Sequence, residues 1–304
     1  MAYTRFAAMI ATSTVAMLIL MYLNTFTWEH VFFSETRVYM AIVMGSCMAV
    51  IMLAYMLAMY QNTMVNAGIF IGSIIVFALA LWLVRSQATV GQVSYMRAMV
   101  PHHSIAIMTS ERAQITDPRV RRLADEIIEA QQREIAEIRY LIADLRASGD
   151  AARPAIYEEE DTGEVVSVSE ALRATRLGAL HPEPLEPAEA DQVLGPGRGC
   201  SFLWTAESDP ILTARIPASE TPVAHGVMKL NGKLVALHGQ SQGGFEALAA
   251  GAAMAADGLR VSVAPVADAE AQEDNGTTRR RADLMFELEQ GRTVGYRGFY
   301  RCSG

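Results

Sequence analysis

Residues 95–108 read YMRAMVPHHSIAIM, two methionines followed by two adjacent histidines. On a regular helix, at about 100° per residue, Met99 and His103 fall within about 60° of Met96, and His102 about 120° from it on the Met99 side. Thioether sulfur and neutral imidazole on one face are the donors that soft Cu(I) prefers, whereas hard cations select oxygen. Pro101 sits between the two pairs. A proline inside a helix removes a backbone hydrogen bond and bends the axis, so it either turns both histidines toward a common point or marks the start of a fresh helix.

Two elements must position these side chains. The second is the plainer: Asp117 can cap a helix with Pro118 at its first position. Val120, Leu123, Ile127, Gln131, Ile135, Ile138, Leu141 and Leu145 then follow a three-and-four spacing, with charged residues opposite. The first element, roughly residues 87–113, is expected to be its antiparallel partner. In a hairpin turning near residue 115, Gln131 comes level with residues 99–102. Gln131 interrupts the apolar stripe and Glu134 follows on nearly the same side, and a polar group on a buried face needs a partner. Two helices bury little alone, so the hairpin is expected to pack against a second copy or against the C-terminal module, a homodimer forming a four-helix bundle being the preferred reading. A structural reading stands beside the metal one: methionine at helical spacing commonly fills cores, and a buried histidine is commonly hydrogen-bonded scaffold.

The stretch Tyr95 to Leu145, with M-x-x-M, then HH, then A-x-x-M, and Q-x-x-E-I on the second helix, resembles the domain of unknown function 305 family. That resemblance implies a ferritin-like helical fold and an association with copper binding or resistance in periplasmic or membrane-linked proteins. It carries over Met96, Met99, His102, His103 and Met108 as expected copper ligands, with Gln131 and Glu134 supporting. This chain has Ile138 where the family often has methionine.

Upstream, the first 85 residues hold only Arg5, Glu29, Glu35, Arg37 and Arg85 as full charges. Three apolar runs, Phe6 to Leu23, Val38 to Met59 and Met64 to Val84, approach the roughly 20 residues that span a bilayer. Three spans put the short N-terminal tail and the large C-terminal region on opposite sides. Arg5 favours a cytoplasmic N-terminus, and Cys200 and Cys302 bracket the C-terminal module as a disulfide would. Both point to a multi-pass protein of a bacterial inner membrane, with residues after 86 in the periplasm. The net charge of −8 argues against nucleic acid as a partner. Met40, Met44, Met48, Met52 and Met56 recur every four residues in the second span, and are expected to be packing rather than a copper relay. Glu29, His30 and Glu35 in the first loop are read as a solvated loop.

Residues 148–199 are acidic and proline-spaced, as a linker is, with a short helix possible at Ser169 to Leu177. From Cys200 onward, short apolar runs and an LNGK hairpin signal suggest a small, mostly β domain closed by Cys200 and Cys302. GQSQG at 239–243 fits the G-x-S-x-G elbow of serine hydrolases, but no histidine follows Ser241, against the chain order of that triad. An enzyme is therefore not expected. The sequence reads as a mainly α membrane protein: a transmembrane module (1–86), a ferritin-like hairpin (87–147), a linker (148–199) and a small β domain (200–304). Its expected role is binding copper for sequestration, resistance or delivery, with a periplasmic protein as a conceivable partner. The alternative is a non-catalytic membrane scaffold whose His102 and His103 are structural.

Overall fold

The computed structural model of the chain describes residues 2–148, 181–217, 223–267, 269–274, 276–289 and 293–303. The chain divides into two compact units, Met1–Ile128 and Glu129–Gly304.

The first unit is helical: α1 (Ala2–Leu20), α2 (Glu35–Tyr55), α3 (Thr63–Ser86), α4 (Gln92–Arg112) and the beginning of α5 (Pro118–Ser148). Three of these, α1, α2 and α3, are long and apolar enough to cross a membrane. At 1.5 Å per residue they measure about 28–36 Å, against a hydrocarbon core of about 30 Å. Their boundaries follow capping chemistry. Ser34 accepts the Arg37 N–H at the start of α2, and Asn62 accepts the N–H groups of both Met64 and Val65 at the start of α3. Gln87 ends α3 in the left-handed region, at φ +52°.

Phe6, Ala49, Leu53 and Tyr60 form the buried cluster of this module, with Met52 and Met56 packed against it. Two of the evenly spaced methionines of the second span are thus packing residues. Ile71, Ile74, Ile75, Leu79 and Trp82 of α3 face outward instead. In water such a stripe would be costly, whereas in lipid it is the expected surface.

The second unit corrects the expected fold class. The chain is not mainly α with a small β domain: it carries a closed, eight-stranded antiparallel barrel, about 26% of the chain being strand. After the remainder of α5 come β1 (Pro182–Glu183), α6 (Pro187–Leu194), β2 (Gly199–Leu203), β3 (Pro210–Arg215), β4 (Val223–Leu230) and β5 (Lys233–Gln242). There follow α7 (Gly244–Ala250), β6 (Ala252–Ala256), β7 (Leu259–Pro265), β8 (Gln272–Asp274), β9 (Thr277–Leu288) and β10 (Thr293–Ser303). The strands run β4–β3–β2–β10–β9–β7–β6–β5, and the pairing of β5 with β4 closes the ring. Strand β1 adds to β4, and β8 to β9. Residues 149–180, including the helix expected near Ser169, lie outside the described residues, and β1 and α6 fall in the stretch read as linker.

Closure explains why so many short strands are stable. An open sheet of this length would leave two edges of unpaired backbone groups, and a ring leaves none. Phe202, Trp204, Leu212, Met228, Phe286, Tyr296 and Tyr300 are buried in one continuous core. The Tyr300 hydroxyl donates to the carbonyl of Leu248 at 2.9 Å, tying α7 to β10, and burial holds that phenol well above its ordinary range.

Two expectations from the sequence are met. Asn231 and Gly232 both have positive φ and join β4 to β5 in a two-residue turn, the conformation that Asn-Gly favours. Cys200 and Cys302 are direct register partners on β2 and β10 and are disulfide-bonded.

The helix α5 departs from the hairpin reading. Asp117 caps it as expected, accepting the Arg119 N–H at 2.8 Å, and Arg121 donates to the carbonyl of Ser110 at the end of α4. Beyond Ile128 the helix serves the barrel instead. Ala136 is fully buried within the barrel's core cluster, and a Cβ placed on Gly295 of β10 would run into the Tyr140 ring. The buried positions are Ala124, Ile135, Ala136 and Ile142, while Val120, Leu123 and Leu141 are exposed.

Candidate metal centre

Helix α4 runs without a break from Gln92 to Arg112, with Pro101 inside it and buried. Both methionines and both histidines therefore ride on one helix, and no fresh helix begins at the proline. Met96, Val100, Ser104 and Ile107 are its buried stripe. Met99 and His103 are half-buried beside that stripe, and His102 is exposed on its flank. The two imidazoles stand 6.2 Å apart between centroids, tilted by 56°.

By helical geometry Met96, Met99, His102 and His103 share an arc of about 120°. Met108, carried over from the family resemblance, falls at about 180° from Met99 and points away from that arc. Four of the five expected positions on this helix, two thioethers and two imidazoles, thus share one face, and these are donor types that a soft cation prefers. Gln131 and Glu134 belong to the part of α5 that lies in the second unit, next to the buried Ile135 and Ala136. Among the described residues no three His, Cys, Asp or Glu side chains stand together as a metal cluster, so any site here depends on methionine sulfur.

A residue the sequence reading passed over organises the buried face. Ser104, fully buried, accepts the backbone N–H of Phe26 at 2.7 Å and lies 2.9 Å from Nδ1 of His30. Ser104 Oγ thus ties two residues of the first loop, Phe26 and His30, to α4. His30 is buried, not part of a solvated loop as expected. The signal was present: a serine on an apolar stripe needs a partner by the same rule that singled out Gln131.

The GQSQG stretch does not form a nucleophile elbow. Ser241 lies within β5 with φ outside the positive region, and the positive φ values fall on Gly243 and Gly244, at the entry to α7. An elbow serine sits on the turn itself.

Comparison with known proteins gives two family matches. One, described as "Domain of unknown function (DUF305)", covers residues 92–191. The other, "Domain of unknown function (DUF6692)", covers residues 143–304, just over half of the chain. Neither description names a metal, a ferritin-like fold or a membrane module. Among curated proteins the chain is similar to "Uncharacterized protein L153" of Acanthamoeba polyphaga mimivirus, 35% identical over 72 residues. That match covers 23% of this chain and 47% of the relative, so the chain spans about half the length of the protein it matches. No solved structure matches the chain.

Proposed function

This chain belongs to the domain of unknown function 6692 family, and from that footing we propose that it is a membrane-anchored, non-catalytic protein that binds copper, as Cu(I), through α4. The observation that carries the reading is the grouping of Met96, Met99, His102 and His103 on one arc of an unbroken helix. Two thioethers with two neutral imidazoles suit a soft monovalent cation better than a hard one. The match of residues 92–191 to the domain of unknown function 305 family supports it, given the copper association that the resemblance implies. Three helices apolar enough to span a bilayer precede α4, so the site would be presented from a membrane. The disulfide suits an oxidising compartment, in a bacterium the periplasm, with the N-terminus in the cytoplasm and the chain assembled as a homodimer. Sequestration, resistance or delivery are the roles such a site serves.

The test is copper retention by the full-length protein in detergent, kept in ascorbate so that Cu(I) persists. The wild type is expected to retain about one copper per chain through dialysis. A His102→Ala, His103→Ala double variant loses it, and Met108→Ala keeps it. Equal copper in wild type and double variant would overturn the reading.

The Ser104–His30 hydrogen bond favours a second reading, in which this face of α4 is a structural anchor for the first loop and the protein is a scaffold. Under that reading the double histidine variant lowers thermal stability and leaves copper content unchanged.

A further inference from the structure

Two of the barrel's outward arginines face an acidic residue across a strand pair. Arg297 stands opposite Asp283 across β10 and β9, with bonds of 2.7 and 2.8 Å, and Arg260 stands opposite Glu287 across β7 and β9. Arg301, however, stands directly opposite Arg279. Like charges facing across an antiparallel pair destabilise a sheet, because the side chains start only about 5 Å apart. Among the described residues Arg301 makes no hydrogen bond or ion pair, and it is exposed. Arg279 is held in place, donating to Gln272 Oε1 at 2.8 Å with its guanidinium 5.5 Å from the Phe299 ring.

The two guanidiniums sit in a cleft of about 790 Å³ on the outer face of β3, β2, β10 and β9, walled on one side by β8. Register places Thr213, Ser201, Arg301 and Arg279 in a row across the four strands. The Ser201 and Thr213 hydroxyls are hydrogen-bonded to each other at 3.1 Å. The next row runs Arg215, Gly199, Ser303, Thr277. Arg215 is paired with Asp191 at 2.7 Å and adds little net charge, and Glu273 lines the β8 wall. The middle of the floor is Gly199, where a Cβ would strike the Ala214 carbonyl and the Arg215 side chain of the neighbouring strand.

We propose that this cleft binds a multiply charged oxyanion, of phosphate or carboxylate type, between Arg301 and Arg279, with the row of hydroxyls completing its hydrogen bonds. Paired guanidiniums on a rigid sheet present two forks to the oxygens of such a group. The bound anion supplies the negative charge that the Arg301–Arg279 opposition lacks, as Asp283 does at Arg297 and Glu289 at Arg260. The site is in the second unit and is independent of the metal reading.

Titration calorimetry of the full-length protein in neutral detergent, with pyrophosphate and with citrate, tests this. Glycerol 3-phosphate, the deacylated headgroup of phosphatidic acid and a multiply charged phosphomonoester, distinguishes a membrane-derived source from a free one. Saturable binding of at least one probe is expected, weakened about tenfold by Arg301→Gln and by Arg279→Gln. Arg260→Gln, which removes the same charge elsewhere on the barrel, should leave it unchanged. The proposal fails if none of the three probes binds saturably, if both cleft variants bind as wild type, or if R260Q weakens binding as much as they do.

Discussion

Glu129, the first residue of the second unit, is half-buried, and burial pushes its carboxyl above the ordinary glutamate range, partly offset by His181, Arg133 and Lys229. A carboxylic acid with a raised folded-state pKa keeps its proton longer when folded than when unfolded. Its stabilising contribution is therefore complete at acid pH and is lost as pH climbs from the ordinary glutamate value, about 4.3, through the raised folded value. Glu129→Gln should flatten that part of the stability profile and raise neutral-pH stability by less than about 1 kcal/mol, the half-exposed site being screened. Unfolding curves of wild type and variant from acid to neutral pH, followed by the near-ultraviolet signal of the barrel's aromatic core, would decide it. Parallel pH profiles would show that Glu129 is not the titrating group.

At the scale of elements, the use of α5 by the barrel rests on a close approach, the Tyr140 ring lying where a side chain on Gly295 would be. Gly295→Ala overpacks this contact and should cost about 1–3 kcal/mol in urea unfolding. Adding Tyr140→Ala should recover part of that loss, and strict additivity of the two changes would place the helix elsewhere. The same elements show what sequence reveals. The three apolar helices, the Asp117 cap and the Asn231–Gly232 turn were legible because each is set by residues near one another in the chain. The barrel was not. Its closure depends on non-local pairs such as Cys200 with Cys302 and on the short seam of His238 with Ala255 and Gly239 with Met254. Alanine-rich FEALAAGAAMA resembles one helix by propensity. Gly251, at φ +153° and where a Cβ would strike the Val263 carbonyl, ends α7 and turns the second half into β6. At the candidate metal site, the shared arc of Met96, Met99 and His103 follows from helical period alone. The burial of Ser104 against His30 required knowing that the first loop folds back onto α4.

For the molecule as a whole, the disulfide joins residues 102 positions apart, at the first and last strands of the barrel's chain order. A constraint on so long a loop restricts the unfolded ensemble strongly, and replacing both cysteines by serine should cost about 2–5 kcal/mol. Wild type unfolded in dithiothreitol should match the Cys200→Ser, Cys302→Ser variant. A variant as stable as the oxidised wild type would show that the strand ladders alone set the stability.

The same bond has a mechanical meaning. Gly199 and Ser303 are register neighbours, and the link between Cys200 and Cys302 lies one residue inside each. Tension drawn along the chain from before Gly199 to beyond Ser303 passes through that covalent link and bypasses the hundred residues between. The barrel thus hangs from its chain as a closed loop off the load path, extended only if the sulfur bridge is first reduced.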